Sequence, residues 1–581
     1  MKRSHVAKIV TSVMKRHWKM LLFLMLVIVL VVILGLLPPQ ILRTIIDDNL
    51  LSQNSNGLLN LALLYLGIAL SIGIVDFLKG AILTILGQKI TRAIRSEMMM
   101  KTERINVLYF SANGSGSVVS RFTNDVEAIN SMFTNGLVGM IVDLFKIIGI
   151  IVSMALFDPM LGFIALILLP LIYLITRFFQ TRMLKAQILN RKQIAKVNNH
   201  ISESLKNVQM IKSGSKEAFM EDKFTNYLQD HYETIEKVNF FDSIFPPIMQ
   251  IVRAFVIGLV IVLAAPELQW VGITLGMVAA SVELLSNLFV PIETLGMELQ
   301  SIQQSISGIQ RVNEFLNEVE ETKVNSTLSA DQVINDVKNV SLTFENVSFQ
   351  YVEGFEVLNQ ISLTVKPREK VTFVGRTGVG KTTLFKLCMG LLSPITGRIA
   401  INGIDVTTIP NAEKRKIFGY VDQSFHFIKG TVADQIALHD PSITQDQIRK
   451  AIQFVGLTEY IEMLPLGLLT PVVNDTLFSQ GQKQLLSIAR AIVTNPPILL
   501  LDEITANLDS ITEGLILSVL QKAGTIHTVL SISHRLSTTI NADTVVILEN
   551  GRIKNVGSPQ TLMEQDDWYR SRMTLEKLTW K

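Results

Sequence analysis

Long apolar runs in the first half of the chain constrain its fold more than any other feature. Each is long enough to cross a bilayer as an α-helix, which satisfies its backbone hydrogen bonds internally, as lipid requires. They lie at residues 20–42, 57–86, 137–156, 160–179, 244–265 and 268–292. We therefore expect residues 1–316 to form an α-helical transmembrane domain with six spans.

The N-terminal residues 1–19 carry several Lys and Arg side chains and no carboxylate. Val6, Val10 and Val13 recur at helical spacing, which predicts a basic amphipathic helix lying on a membrane surface. A secretory signal is the competing interpretation. The run at 20–42 is longer than a signal-peptide core and lacks a small-residue cleavage site, so a first membrane span is favoured.

The distribution of Lys and Arg between the spans predicts the orientation of the chain. Residues 44–56 contain Asp47 and Asp48 but no Lys or Arg, whereas the second-to-third and fourth-to-fifth connections are long and basic. Basic connections remain in the cytoplasm. We therefore expect both termini to be cytoplasmic, in a multi-pass protein of a bacterial cell membrane.

The two basic connections have helical patterns and few helix breakers. We expect each to consist of two span helices that extend far below the membrane and turn, near 111–121 and near 212–220. Such turns could contact a nucleotide-binding domain. The alternative, that they are merely solvated loops, is weakened by their length, because loops this long usually have a function.

Charged residues also occur within the spans. Two pairs lie three residues apart on one helix, where they can neutralise each other: Asp76 with Lys79, and Asp143 with Lys146. Arg253 and Glu283 have no such neighbour. We expect these two residues to face a water-filled cavity, unless they pair with each other or lie near an interface.

Residues 317–342 are polar and predict a linker, after which residues 343–581 have the pattern of a soluble α/β domain. This second domain contains GRTGVGKTT, which matches the P-loop pattern between an apolar strand and a helix. A chance match is the alternative, but this strand and helix context makes it improbable. The expected ATP-binding residues here are Gly375, Arg376, Thr377, Gly378, Val379, Gly380, Lys381, Thr382 and Thr383.

The chemistry expected of the P-loop follows from its residue types. Its glycines let backbone N–H groups surround phosphate oxygens, and the following helix start adds a positive dipole end. Lys381 would contact the β- and γ-phosphates, and the Thr382 hydroxyl would bind Mg²⁺. ATP and Mg²⁺ are therefore the expected cofactors.

A second nucleotide signal is the apolar run PILLLDE, which predicts a buried strand ending in two carboxylates. Asp502 is placed to hold Mg²⁺, and Glu503 to polarise an attacking water. Upstream, Ser479 and Gly481 begin a helix with an apolar stripe, whose start could meet a phosphate. His534 follows a third apolar run, and a lone histidine there could equally be structural.

Taken together, these motifs resemble an ATP-binding cassette (ABC) exporter half-transporter, with six spans ahead of one ATP-binding domain. The resemblance covers nearly all of the chain and implies roles for further residues. Tyr351 would stack on adenine, although it could be an ordinary strand aromatic, and Gln423 would contact Mg²⁺ and the attacking water. The signature segment would bind ATP through Ser479, Gly481 and Gln482. Asp509 would communicate between two sites, and His534 would contact the γ-phosphate as a third catalytic residue beside Glu503 and Gln423.

The resemblance also implies a dimer in which two cassettes enclose two ATP molecules and drive alternating access. Two departures from the family pattern matter: Gln480 replaces a signature glycine, and the preceding TPVVNDTL lacks a common Glu-Gly pair. Since Lys381, Asp502 and Glu503 are retained, we expect one subunit of a heterodimer whose partner has a degenerate site. A homodimer is the alternative.

Several functions remain open at this point. The favoured one is ATP-driven export of drugs or other amphipathic small molecules. The alternatives are a lipid or peptide exporter, or a membrane-tethered ATPase sensor. We expect no N-terminal peptidase domain, which disfavours a peptide exporter of the processing type. The net charge of +3 gives no reason to expect nucleic acid as a partner, and one cysteine excludes an intrachain disulfide.

Overall fold

The chain divides into two units, Met1–Glu321 and Thr322–Lys581. The described part of the first unit is built from helices. The computed structural model describes residues 4–51, 57–263, 274–321, 328–334, 339–352, 354–473, 477–504, 510–533 and 535–579. The helices of the first unit are α1 His5–Arg16, α2 Trp18–Thr44, α3 Leu58–Thr102, α4 Val107–Ala112, α5 Ser115–Ser120, α6 Val126–Ser131, α7 Val138–Phe157, α8 Pro159–Lys206, α9 Val208–Ser213, α10 Glu217–Leu263 and α11 Leu275–Leu316. Short π-helical segments continue some of them, at Ile45–Leu50, Arg121–Asp125 and Met132–Leu137.

Within the described part of the chain, six helical stretches are long and apolar enough to cross a membrane, which confirms the predicted number of spans. They are Trp18–Leu50, Leu58–Thr102, Ser115–Phe157, Pro159–Lys206, Glu217–Val262 and Leu275–Leu316. Several continue far past the predicted apolar runs, because charged residues at helical spacing follow with no breaker. The predicted link at 266–267 and the start of the sixth run lie outside the described residues.

The tight connection between α7 and α8 follows from three residues. Asp158 has extended backbone and its carboxylate accepts a hydrogen bond from the backbone N–H of Met160 at 2.7 Å, which caps α8. Pro159 occupies the first turn, where no N–H donor is needed. These residues let the chain reverse direction between two spans without a loop.

Helix α1 forms where the sequence predicts it, but its apolar face is covered by protein. Val6 and Val10 are buried, and the Val6 backbone N–H donates to the Asn313 side-chain oxygen at 3.0 Å. The helix packs against α3 and α11, while its basic side chains remain exposed. Helices α3 and α11 thus cover Val6 and Val10, and the contact of α1 with a membrane surface stays a prediction.

The charged residues of the spans behave differently from one another. Asp76 and Lys79 form the predicted ion pair at 2.6 Å. The corresponding pairing of Asp143 with Lys146 is wrong: the Asp143 carboxylate instead accepts a hydrogen bond from the hydroxyl of Thr294 on α11.

Arg253, the arginine of the fifth span, does not pair with Glu283, which was one of the expected alternatives. The Arg253 guanidinium lies over the Phe289 ring, 5.2 Å from its centroid. No ion pair within 4.0 Å joins Arg253 to Glu283, both of which are described residues. The ring contact offsets part of the cost of placing this cation among apolar helices.

The second unit is an α/β domain, which confirms the predicted fold class. Its strands are β1 Leu342–Val352, β2 Phe355–Val365, β3 Lys370–Gly375, β4 Thr396–Ile401, β5 Ile404–Asp405, β6 Phe418–Val421, β7 Gly430–Thr431, β8 Pro471–Val472, β9 Ile498–Asp502, β10 Thr528–Ile532, β11 Thr544–Glu549 and β12 Arg552–Gly557. Its helices are α12 Ala330–Ile334, α13 Lys381–Cys388, α14 Asn411–Ile417, α15 Val432–Ala437, α16 Gln445–Phe454, α17 Thr458–Glu462, α18 Gln480–Ile492, α19 Ser510–Ala523, α20 Pro559–Gln565 and α21 Asp567–Thr579.

Two sheets organise this unit. A four-stranded antiparallel sheet has the order β2-β1-β4-β5, and a six-stranded sheet has the order β12-β11-β3-β10-β9-β6. In the larger sheet, β11, β3, β10, β9 and β6 are parallel, and β12 is an antiparallel edge. The carboxyl ends of β3, β10, β9 and β6 therefore meet at one edge, where parallel sheets bind ligands.

Part of the segment predicted as a linker belongs to the second unit. Ala330, Val333 and Ile334, at the spacing of one helix face, are buried on α12. The Ala330 backbone N–H donates to the Glu413 carboxylate at 2.9 Å, and the Asn402 amide donates to the Val333 carbonyl at 3.1 Å. Because residues 317–342 are mostly polar, this short apolar stripe was not recognised in the sequence.

Candidate functional site

The P-loop lies between β3 and α13, as the sequence predicts. Gly378 and Gly380 have φ of +85° and +100°, which side chains other than glycine rarely adopt. A Cβ at Gly380 would also lie 2.8 Å from the Leu358 side chain. The positive φ explains the glycine at both positions, and the lack of space for a Cβ is a second reason at Gly380.

Lys381 begins α13 and turns its side chain back over the loop. Its ammonium donates to the carbonyls of Gly375 at 2.9 Å and Arg376 at 3.2 Å, and the side chain is buried. Burial lowers the pKa of Lys381, and this effect is opposed by the negative charges of Glu503 and Asp502. A partly desolvated cation beside a glycine loop is well suited to bind phosphate.

Asp502 ends the buried strand β9, beside the start of α13. Its carboxylate is buried and accepts a hydrogen bond from the Thr382 hydroxyl, whose side chain thus belongs to the same cluster. Burial raises the pKa of Asp502, while the Thr382 hydrogen bond lowers it by a smaller amount. Two of the three residues predicted to contact Mg²⁺, Thr382 and Asp502, are therefore adjacent.

Glu503 follows Asp502 with φ of +48°, an uncommon backbone conformation for a residue other than glycine. Its backbone N–H donates to the Ile532 carbonyl at 3.2 Å, which ties the end of β9 to β10. Its carboxylate accepts a hydrogen bond from the Gln423 amide at 2.9 Å. The predicted base and the predicted water-contacting glutamine are thus directly bonded.

Gln423 is held in turn by a residue that the sequence analysis did not single out. The Gln484 amide of α18 donates to the Gln423 backbone carbonyl at 2.9 Å, and Gln484 is almost fully buried. The sequence feature that could have identified Gln484 is the presence of a glutamine within the apolar stripe of a helix. A second residue that was missed is Tyr420, whose hydroxyl donates to the Asp422 carboxylate at 3.4 Å.

Tyr351 lies beside the P-loop helix. Its hydroxyl is 3.1 Å from the hydroxyl of Thr383, and its ring is partly exposed. Phe349 contacts the ring edge, with 5.0 Å between centroids. This placement leaves an aromatic face near the loop that is free to stack on a base.

The signature residues form the N-terminus of α18. Ser479 caps the helix: its hydroxyl accepts from the Gln482 backbone N–H, and the Gln482 side chain accepts from the Ser479 N–H. A Cβ at Gly481 would lie 2.1 Å from the Thr512 side chain, which explains this glycine. Among the described residues, no hydrogen bond joins Ser479, Gly481 or Gln482 to the P-loop.

Two predicted site residues, Asp509 and His534, lie outside the described residues. The structure therefore assembles the P-loop, Tyr351, Gln423, Asp502 and Glu503 at one edge of the larger sheet. The oxygen donors of Thr382 and Asp502 suit Mg²⁺. No cluster of three or more His, Cys, Asp or Glu that could hold a metal occurs in the described part of the chain.

This arrangement defines a membrane protein with a P-loop ATP-binding domain, and comparison with known proteins identifies its family. The family model "ABC transporter transmembrane region" matches residues 21–292, and the model "ABC transporter" matches residues 358–506. The chain belongs to the ABC transporters, with both a transmembrane region and an ATP-binding domain, and is an ATPase-coupled transporter.

Curated relatives cover most of the chain. An "ATP-dependent lipid A-core flippase" of Chromobacterium violaceum is 28% identical and aligns over 96% of this chain and 95% of its own. A "Fatty acid ABC transporter ATP-binding/permease protein" of Mycobacterium bovis is 29% identical, over 87% and 79%. A "Probable multidrug resistance ABC transporter ATP-binding/permease protein" of Bacillus subtilis is 28% identical, over 90% and 77%.

A solved structure has the same fold. The "Structure of a bacterial Atm1-family ABC exporter with ATP bound" matches with a TM-score of 0.78 at 23% sequence identity. The match covers 97% of this chain and 99% of that chain. The fold of both units is therefore that of an ABC exporter.

Proposed function

We propose that this chain is one half of a dimeric ABC exporter that uses ATP hydrolysis to move amphipathic molecules out of the cytoplasm. The observation that carries the catalytic part is the 2.9 Å hydrogen bond from the Gln423 amide to the Glu503 carboxylate. It orients a carboxylate that interacts with Lys381 of the P-loop and is only partly buried. Both termini are cytoplasmic in this proposal, since the basic connections lie on the same side.

The roles of the chain's own residues follow from their positions. Lys381 neutralises phosphate charge, because its ammonium can exchange two carbonyl partners for phosphate oxygens. Glu503, oriented by Gln423, accepts the proton of the attacking water. Mg²⁺, held by Thr382 and Asp502, would neutralise the charge that develops on the phosphates.

A single chain does not complete this site, which supports a dimer. Ser479 and Gly481 start a helix whose N–H groups suit a phosphate, yet they make no hydrogen bond to the P-loop of their own chain. In the proposed dimer, each signature closes over the ATP of the other chain. ATP would then favour closure because its γ-phosphate contacts form only in the closed pair.

The proposed partner is a different chain with a degenerate site. Gln480 is exposed in the first turn of α18, beside the backbone that a phosphate must approach. Its side chain occupies space that a glycine would leave open. ATPase assays of this chain, alone and with its candidate partner, test this: Gln480→Gly should change turnover little in the pair. Full transport by this chain alone, with a strong Gln480→Gly effect, would favour a homodimer.

The turns at the ends of the long helices are the proposed contacts with the cassette. Helix α9 has no buried residue. Its Met210 is 67% exposed, and Phe219 in the first turn of α10 is 61% exposed. Large exposed apolar side chains at a turn are typical of a surface that binds another element. They would transmit closure of the cassettes to the spans.

Amphipathic molecules are the proposed substrates. The names of the relatives refer to fatty acid, lipid A-core and multidrug transport, and these substrates are amphipathic or lipid-like. Lipid export is accordingly the second candidate. A membrane-tethered sensor ATPase would hydrolyse ATP without moving a solute.

Transport into inside-out membrane vesicles tests the proposal. Vesicles containing this chain and its partner should accumulate a fluorescent amphipath only with ATP and Mg²⁺. The Glu503→Gln variant, which retains the shape of the side chain without a base, should abolish accumulation. Normal ATP hydrolysis without accumulation of any amphipath would support the sensor alternative.

A further inference from the structure

A cavity of about 540 Å³ lies between helices α3, α7 and α11 of the first unit. Ligand-binding cavities usually range from about 300 to 1,000 Å³. Its charged lining residues come from all three helices: Lys79, Asp143, Lys146 and Glu298. Leu83, Val138, Val142 and Met297 provide an apolar side. The cavity therefore combines charges of both signs with an apolar wall.

Two of the four charges already have partners. Lys79 pairs with Asp76 at 2.6 Å, and the Asp143 carboxylate accepts a hydrogen bond from the Thr294 hydroxyl. The other two do not. Lys146 makes no ion pair or hydrogen bond with any described residue, and Oε2 of Glu298 is buried without a hydrogen-bond partner.

An unpaired lysine and an unpaired carboxylate thus share one cavity without contacting each other. Leaving charged groups unpaired among membrane-spanning helices costs free energy, and such groups usually mark a functional site. Buried polar atoms without partners require a similar explanation. A ligand with one anionic and one cationic group would satisfy both residues at once.

The packing of α7 against α11 leaves space for the Glu298 side chain. A Cβ at Gly139 of α7 would lie 2.0 Å from Oε1 of Glu298, so this glycine makes room for the carboxylate. The carboxylate consequently lies directly against the backbone of α7, the helix that also carries Lys146.

The contacts of Arg43 indicate how far across the membrane the cavity lies. Its guanidinium lies 5.1 Å from the Phe157 ring centroid, and its carbonyl would be 2.6 Å from a Cβ at Gly276. The ends of α7 and α11 thus share one level. At a rise of about 1.5 Å per residue, Lys146 lies roughly 16 Å from the Phe157 end of α7, and Glu298 lies roughly 33 Å from the Gly276 end of α11. Because the hydrocarbon core is about 30 Å thick, the cavity extends from near the middle of this core to the border of the opposite leaflet.

We propose that this cavity binds the head group of a zwitterionic amphipath taken from the cytoplasmic leaflet. Lys146 contacts the anionic group, Glu298 contacts the ammonium group, and the alkyl chain follows the apolar wall. The assignment to the cytoplasmic leaflet rests on the proposed function, because it requires cytoplasmic termini.

Equilibrium binding of radiolabelled amphipaths to the purified full-length protein, with its partner where it needs one, tests the proposal. The protein is held without nucleotide in nanodiscs of phosphatidylglycerol, which contain no zwitterionic lipid. Four probes share a 14-carbon chain: lysophosphatidylcholine, an alkyltrimethylammonium, an alkyl phosphate and a monoacylglycerol. Glycerophosphocholine, which lacks the chain, distinguishes an amphipath from a free head group.

Lysophosphatidylcholine should bind at least about tenfold more tightly than the other probes, the value expected of one added charged hydrogen bond. Lys146→Met and Glu298→Gln should each weaken its binding by about tenfold or more. The exposed residues Lys185 and Glu97 provide matched controls, and Lys185→Met and Glu97→Gln should have no effect.

Equal binding of all four 14-carbon probes, or tightest binding of a purely cationic or purely anionic probe, would overturn the proposal. Tight binding of glycerophosphocholine alone would show a small-molecule site and would also overturn it. The selectivity of the wild-type protein decides the matter even where a variant folds poorly. Because this assay measures binding without ATP, a failure here leaves vesicle transport, and thus the proposed function, to be judged separately.

Discussion

Replacing Lys381 with alanine should weaken ATP binding by roughly 10- to 150-fold. The Lys381 ammonium, now hydrogen-bonded to two loop carbonyls at 2.9 and 3.2 Å, would turn to phosphate oxygens when ATP binds. A hydrogen bond involving a charged group contributes about 1.5–3 kcal/mol net, and each 1.4 kcal/mol changes affinity about tenfold. The loss of one such contact gives the stated range.

The unliganded protein should tolerate the same change well. Burial lowers the pKa of Lys381, so holding this cation in the folded state is unfavourable, and removing it relieves that cost. The thermal midpoint without nucleotide should therefore fall little, which separates a binding defect from misfolding.

Titration of the full-length protein with a fluorescent ATP analogue, at fixed Mg²⁺, provides the measurement. Lys386 lies in the same helix, is only partly buried, and its side chain makes no hydrogen bond to the loop, so Lys386→Ala is the matched control. Its affinity should stay within about twofold of wild type. Unchanged affinity in Lys381→Ala, with the fold intact, would refute the proposed role.

Three further outcomes are expected. Glu503→Gln should lower ATP hydrolysis by at least about 100-fold while retaining bound ATP, as measured by phosphate release and by nucleotide trapping. Burial raises the pKa of Asp502 above that of the unfolded chain, so the unliganded fold should gain stability as pH falls through the raised value; a thermal unfolding series should show this, and Asp502→Asn should remove it. Cysteines placed at the exposed positions Ser115 and Ala218 should crosslink to cysteines on a cassette, since the native Cys388 is buried and does not compete. Crosslinks confined to the membrane region would contradict the proposed coupling turns.

The sequence was sufficient to predict features that depend on local pattern. Apolar run length indicated the six spans because lipid permits few alternatives to a helix. The spacing of Gly375, Gly380 and Lys381 indicated a phosphate loop, and the strand and helix around it were found where predicted. In each case, the residues that allow the prediction lie within one continuous segment of the sequence.

Features that depend on contacts between distant segments were harder to predict. The apolar face of α1 resembles that of a membrane-surface helix, and only the tertiary structure shows that α3 and α11 cover it. Asp143 has a suitable partner three residues away in Lys146, yet the hydroxyl of Thr294 on another helix is bonded instead. The support of Gln423 by Gln484 likewise joins segments far apart in sequence.

Reconstitution of the purified complex in liposomes, with ATP hydrolysis and substrate movement measured in one sample, tests the central claim most directly. Wild-type complex should move a zwitterionic or other amphipathic probe in proportion to the ATP it hydrolyses. Glu503→Gln complex should bind ATP and the probe but perform neither reaction. Probe movement that continues at the wild-type rate in Glu503→Gln, or hydrolysis that proceeds with no movement of any amphipath, would contradict the account.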